Sequence, residues 1–338
     1  YAVQLVLLTV ILLVMILLVT GLGYIKMSPG EVARIILGRL FNQKEWLTGI
    51  DPAWPYVVLQ VRLPRILTSA AVGAGLATAG TIFQGLLLNP LADPYTLGVS
   101  AGAAFGAALA LLLGLGAWGP YAVTTMAFIC AAATLAVVIA LAVVDGQIQL
   151  HSLILSGVIV AAILSAGISF IKYLADEQVS IIIFWLLGSF VARTWVDLGL
   201  TAPLVAISLI CGLFWASDLN IISLGQRSAA ALGVETTRVR LILLATASLA
   251  TAACVSVSGI IGFVGLIVPH LMRHFTGPDN RRLLPASALT GAILLLAADT
   301  TARAVLPGEV PVGVLTALIG GPVFCYVYRR KQLRTWYA

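Results

Sequence analysis

Charge is what this sequence has least of. Only 9% of its 338 residues are Asp, Glu, Lys or Arg, against about a quarter in a soluble domain. Together with 61% apolar residues and a mean hydropathy of +1.08, the shortage excludes a soluble fold and points to a polytopic membrane protein. The apolar runs also lack the alternation of barrel strands, so the spans are helices. The signatures of nucleotide and redox chemistry are missing too. No lysine follows a glycine, so there is no G-x-x-x-x-G-K-[ST] phosphate loop and no route to ATP through one. Cys130, Cys211, Cys254 and Cys325 stand singly, with no CxxC pair, and read as small packing residues rather than disulfides or metal ligands. No pair of carboxylates falls within one span. The net charge of +6 raises nucleic acid as a partner, but the basic residues sit at span ends and report topology instead.

What is present is apolar chain with room for roughly ten spans of about 20 residues. Tyr1 to Tyr24 reads as the first. Its uncharged run to Thr20 is too long for a signal peptide's apolar core and no A-x-A site follows. The chain begins without Met, and residues before Tyr1 are an expectation. Within the mixed segment Lys26 to Trp54, Ser28-Pro29-Gly30-Glu31 has the form of a helix start. Span 2 follows Arg62-Leu63-Pro64-Arg65 and runs to about Leu88. Its Gly73, Gly75, Ala77, Ala79 and Gly80 form a helix-packing face. Two prolines in Asn89-Pro90-Leu91-Ala92-Asp93-Pro94 end it. Pro94 to Val144 carries no charge and divides into spans 3 and 4 at Gly114 to Pro120. Asp145-Gly146-Gln147 reads as a tight turn. Span 5 is Gln147 to Lys172, and Val179 to Phe190 is too short to cross, hence re-entrant or interfacial. Spans 6 to 10 are Val196 to Trp215, Arg240 to Ser258, Gly259 to His274, Leu283 to Val305 and Val310 to Tyr328.

Ser217 to Arg240 is the longest polar interruption of the second half. Gly225 and Gly233 bracket an alanine-rich run, Gln226 to Leu232, which predicts a short helix between glycine breaks. Such an elbow is either a surface that another protein grips or an ordinary interfacial loop. Ten spans place both termini on one side, which the basic tail and Arg273, Arg281 and Arg282 mark as cytoplasmic. Lys26, Arg34, Arg39, Lys44, Arg62 and Arg65 would then lie outside, against the positive-inside expectation. Asp299 stands in span 9, where an acid is a functional candidate. Arg303 one turn on is expected to neutralise it. His270 and His274 share a helix face but lack the Glu of H-E-x-x-H, so they read as interfacial rather than as zinc ligands.

Four stretches resemble the FecCD-type permease family, the membrane subunits of ABC importers for iron–siderophore, haem and vitamin B12. They are RLPR before span 2, NPLADPYTLGVSAGA after it, LGQRSAAALGV in the elbow, and GFVGLIVPHLMR with the Ala298 to Pro322 run. The resemblance implies a single all-α permease domain, residues 1–338, of about ten helices, paired with a second copy around a central pathway. It implies two cytoplasmic ATPase subunits, which bind the ATP and Mg, and a periplasmic or lipid-anchored binding protein outside. It places no cofactor, metal or catalytic residue in this chain. Residue by residue, it assigns ATPase coupling to Leu224, Gly225, Gln226, Arg227, Ala230, Leu232, Gly233 and Val234. The cytoplasmic gate falls to Asn89, Leu91, Leu150, His151 and Ser152, with His151 departing from the small polar residue expected. Binding-protein docking falls to Arg62, Arg65 and Arg303. Span 5 and the short segment after it would line the pathway with an apolar face carrying Ser156, Ser165, Ser169 and Ser180.

Two other classes compete with this reading. An ion-coupled secondary transporter needs unneutralised charges inside the spans. An intramembrane enzyme needs convergent catalytic groups.

Overall fold

The computed structural model describes residues 1–338 apart from 24, 120, 145–146, 305–308 and 337–338, with the side chains at 44, 144, 147, 226–227, 327–328 and 330–336 also outside the described set. The expected turn at Asp145-Gly146 lies outside the described residues. A two-residue antiparallel pair, Val143↔Ile148 and Val144↔Gln147, flanks it.

The fold is a helical bundle. α1 (Ala2–Gly21) is followed by α2 (Pro29–Leu40), which begins at the expected place. The Ser28 hydroxyl accepts from the Glu31 amide, and the Glu31 carboxylate accepts from the Ser28 amide at 2.7 Å. α3 (Trp54–Tyr56) runs into a π-helical turn, Val57–Arg62, and then into α4 (Leu63–Leu86), so span 2 starts earlier than the RLPR motif suggests. α5 (Val99–Leu112), α6 (Ala122–Ala142), α7 (Leu150–Leu174) and α8 (Val179–Leu186) follow. Then come α9 (Trp195–Phe214), α10 (Ala216–Ile222), α11 (Gln226–Ala231) and α12 (Thr236–Ser258). α13 (Val264–Thr276), α14 (Asn280–Ala304) and α15 (Val312–Trp336) complete the chain.

α4 is the central post, and its small residues are the reason. Without a hydrophobic drive between helices in lipid, close backbone approach gives the attraction. Gly73 meets the backbone of Gly291 in α14, and Gly80 meets that of Gly265 in α13; a side chain at either glycine would collide with a carbonyl. α14 runs antiparallel to α4, while α9 runs parallel to it, with Val205 against Gly75 and Ile82 against Gly212. By contrast α1 and α7 expose long apolar faces, including Val3, Leu7 and Leu13 on the first and Leu155, Ile163 and Phe170 on the second.

Among the described residues seven helices are long and apolar enough to cross a membrane, and α5 and Val312–Tyr326 are shorter apolar helices. The 13-residue α13 falls where the eighth span is expected, so the ten expected segments all appear as helices, although three of them are shorter than a full crossing. α5 and α13 are short because each begins after an irregular stretch that packs inside the bundle. The backbone groups freed there must find protein partners, because lipid offers none. Tyr95 supplies two bonds, its hydroxyl donating to the Ile261 carbonyl at 2.7 Å and accepting from the Ile261 amide at 3.3 Å. The Ser189 amide donates to the Ser258 carbonyl at 2.8 Å. The stretch Val179 to Phe190, too short to span, is indeed a short helix that turns back at Gly188.

Candidate functional site

Two ends of the bundle carry almost all of its polar chemistry. At the end where α4 and α9 begin and α1 and α14 finish, four arginines gather. Arg65 meets Asp299 at 2.9 Å and Glu309 at 3.3 Å. Asp299 is fully buried and Glu309 is 48% exposed. Arg62, only 7% exposed, donates to the carbonyls of Thr20 at 2.8 Å and Ile25 at 2.6 Å. Arg303 donates to the carbonyls of Leu22 at 2.8 Å and Val19 at 3.3 Å. Both guanidinium groups therefore close the carboxyl end of α1, where helix carbonyls are left without amides and a cation is favoured by the helix dipole. Arg193 lies 3.7 Å from Asp197, whose carboxylate also caps α9 through Thr194. Trp195 donates its indole N–H to the Leu59 carbonyl at 2.9 Å, inside the π-helical turn.

This corrects one sequence expectation. Arg303 does not neutralise Asp299; Arg65 does, from the neighbouring helix, and Arg303 turns to α1. The i, i+4 spacing within α14 lost to the antiparallel packing of α4, which brings Arg65 level with Asp299. The same geometry explains the apparent excess of positive charge at this end. Arg62 and Arg65 are internal ligands, as is Arg34, which donates to the carbonyls of Trp46 at 3.0 Å and Thr48 at 2.9 Å.

The opposite end holds the elbow. α11 is a short helix between glycines, as the sequence predicts, with Gly225 and Gly233 at φ of 106° and 80°. That left-handed backbone favours glycine. Ala229 is buried against the bundle, whereas Leu224 is 69% and Leu232 64% exposed. Ala230 and Gly233 are also exposed and Val234 is half-buried. The side chains of Gln226 and Arg227 lie outside the described residues. Sequence reading missed the polar knot beside α11. Asn220 of α10 donates to Asp279 at 2.7 Å and accepts from the Asn280 amide at 2.9 Å and its side chain at 2.8 Å. Arg281 donates to the Ser217 hydroxyl and its own amide donates to Asp279 at 3.0 Å. Burial pushes the Asp279 carboxyl up, but the bonds from Asn220 and Arg281 outweigh it and hold it below the usual carboxylate range. The available signal was Gly277-Pro278-Asp279-Asn280, a turn sequence opening a helix.

The expected gate residues fall at the elbow end in two groups. Asn89 and Leu91 are exposed, and the Leu91 amide donates to the Asn89 side chain at 2.9 Å. His151 is exposed at the start of α7, between half-buried Leu150 and Ser152. The loop carrying the first group re-enters the bundle and packs Thr96 and Leu97 on Gly157 of α7. His270 and His274 lie 5.5 Å apart between ring centroids with their planes tilted by 58°, and no group of three metal-ligating side chains occurs among the described residues. Gly98-Val99-Ser100-Ala101-Gly102 has the G-x-S-x-G spacing of a hydrolase nucleophile turn. That turn needs a strand before it, and here the motif opens α5 with Gly102 packed on Thr134 of α6, a helix-packing use.

Relatives agree with this architecture. The molybdate import system permease protein MolB of Haemophilus influenzae is 37% identical over 330 residues, covering 96% of this chain and 95% of the relative. The Fe(3+)-citrate import system permease protein YfmE of Bacillus subtilis is 39% identical over 331 residues, with the same 96% and 95% coverage. A solved structure described as an inward-facing conformation of a putative metal-chelate type ABC transporter superposes with a TM-score of 0.84 at 36% identity, covering 97% of this chain and 100% of that one. Residues 11–330 match the family model, and this chain belongs to the FecCD transport family.

Proposed function

We propose that this chain is the pathway-forming permease of a binding-protein-dependent importer that moves a metal chelate on ATP hydrolysed by partner subunits. The observation that carries this reading is the elbow: an ordered helix between two glycines, with Leu224 and Leu232 exposed at the polar end of a membrane protein. Exposed leucines on a structured surface suit a protein partner, here the ATPases, which bring the ATP and Mg. The elbow end is cytoplasmic, with both termini, in a prokaryotic inner membrane. A second copy of the chain completes the pathway, and Asn89, Leu91 and Leu150 to Ser152 narrow it near the symmetry axis. The binding protein docks at the arginine end. Arg65 and exposed Glu309 form its rim, with Arg62 and Arg303 holding the shape from below.

α7 and α8 support the cargo class. Their exposed faces are largely apolar, and of the exposed hydroxyls among them Ser169 donates to the Ser165 carbonyl at 3.0 Å and Ser180 to the Glu177 carbonyl at 3.5 Å. A bare oxyanion would need donors along the route, whereas a bulky chelate such as an iron–siderophore, haem or cobalamin needs a surface it does not stick to. The relatives' names include both molybdate and ferric citrate. An ion-coupled carrier is disfavoured because Asp299 is paired.

The test is uptake into proteoliposomes holding the permease, its ATPase and its binding protein. ATP-dependent accumulation of a chelate, with no response to a proton or sodium gradient alone, is expected. Gradient-driven uptake without ATP would overturn the reading. Cysteines at Asn89, Leu91, Leu150, His151 and Ser152 should crosslink between protomers.

A further inference from the structure

We infer that the knot of Asn220, Asp279 and Asn280 is the positioning element that locks the elbow to α14, so that a push on α11 moves the start of α14 with it. The inference rests on the importer reading above and names how that importer's stroke leaves the elbow.

The argument starts from how α11 is attached. Both its flanking glycines have open space around them and a left-handed backbone, so neither turn is braced by side-chain packing. Force must leave through the neighbouring helices. α10 sits against α4 through Leu219, which touches Gly85, and that contact is apolar and fixes no hydrogen-bond register. The knot is different in kind. Asn220 makes three bonds, of which one is to a carboxylate, and Asn280 is 4% exposed. Hydrogen bonds fix direction and register, and those to ions are the strong ones. Asp279 is also tied to the Arg281 amide, and Arg281 reaches back to Ser217 on α10. α10 is thus bonded at two places, one turn apart, to the first turn of α14.

α14 is suited to carry what it receives. It is a 25-residue helix, about 37 Å long at 1.5 Å per residue. Its middle meets α4 backbone to backbone at Gly73 and Gly291, and its far end holds Asp299 and Arg303. Those two residues grip Arg65 and the end of α1. The knot therefore links the surface that the ATPase grips to the ion pair at the opposite rim through one continuous helix, whose hydrogen-bond ladder Pro285 interrupts only near the knot.

The test uses the assembled transporter in proteoliposomes and reads cargo moved per ATP hydrolysed. Asn220→Asp faces one carboxylate with another where a 2.7 Å bond stood. The expected result is normal ATPase co-purification and continuing ATP hydrolysis, with cargo per ATP down roughly tenfold or more, the scale of one charge-assisted bond. Asp279→Asn added to Asn220→Asp reverses the donor and acceptor of the 220–279 bond and removes the facing carboxylates, at the expense of the Arg281 amide bond that shares the same Asp279 oxygen, and should restore most of the ratio. Spin labels on Ser228 and Leu294 should keep one distance through the ATP cycle in the parent and spread in Asn220→Asp. If Asn220→Asp does not insert, Asn280→Ala removes one side-chain donor only and should lower the ratio severalfold. An unchanged ratio in a properly assembled variant, or a swap that fails to restore it, would overturn the inference. Failure of the unaltered assembly to couple uptake to ATP would instead count against the importer reading, so the two are separable.

Discussion

At the arginine end Arg62, Arg65, Arg193 and Arg303 all have partners inside the chain, which are carboxylates, carbonyls at the end of α1 and the Ile25 carbonyl of the loop after it. At the elbow end the balance is reversed. The polar groups of Asn220, Asp279 and Asn280 are turned inward, and what faces outward is Leu224, Ala230, Leu232 and exposed loop backbone. In a soluble protein one would look for a docking surface among the arginines and for the core among the leucines. Here the arginines bond within the chain, and the exposed leucines at the polar end suit the partner protein proposed above. The sign of a residue's hydropathy therefore says little about its role until its depth is known.

The sharpest way to break that contrast is to remove the buried acid. Asp299→Ala leaves Arg65 deep in the bundle with only the exposed Glu309 beside it. Losing one partner of a buried pair costs about 3–5 kcal/mol, and Glu309 should keep the loss near the lower figure. The measurement is thermal unfolding in detergent. Replacing both Arg65 and Asp299 with leucine should recover most of the loss, since well-packed apolar pairs often match the ion pair they replace. If the single variant unfolds like the parent, the arginine end is not internally held.

A smaller effect is expected at Arg62. Arg62→Ala frees the Thr20 and Ile25 carbonyls, and charge-assisted bonds of this kind contribute about 1.5–3 kcal/mol. The loss should be local, with faster hydrogen exchange over residues 19–27 and little change in α12. Arg303→Ala should resemble it, and the two together should fall short of additive because both close the same helix end. Uniform exchange changes across the bundle would mean that Arg62 supports the whole fold rather than α1.

Much of this division was legible in the sequence and some was not. The Ser28 cap, the glycine-bracketed helix at 226–231, the short segment after α7 and the positions of the apolar helices all follow from local patterns, because each is decided by neighbours within a few residues. The partner of Asp299 was misread because the decision was made between helices. Arg303 is close in sequence, but the Gly73–Gly291 contact sets α4 and α14 in a register that favours Arg65. The Asn220 knot was invisible for the same reason, since its members are about 60 residues apart. The π-helical turn before α4 has no counterpart in the apolar pattern at all.

The smallest effect on stability is expected at the elbow, and it sharpens the comparison most. Leu224 and Leu232 are 69% and 64% exposed, so little packing is lost when either is shortened. Leu224→Ala and Leu232→Ala together should leave the unfolding temperature close to the parent's, since exposed substitutions usually stay within about 0.5 kcal/mol. ATPase binding is a different matter. Side chains at the centre of an interface cost about 2 kcal/mol or more when truncated, so the double variant should lose ATPase affinity by tenfold or more. Gly233→Ala makes the control. It adds only one methyl in open space, yet it forces an L residue into a left-handed backbone at about 1–2 kcal/mol, so it should lower stability more than the leucine pair does. If the leucine pair destabilises the chain while ATPase affinity holds, the elbow is a structural cap like the arginine end and the contrast between the two ends disappears.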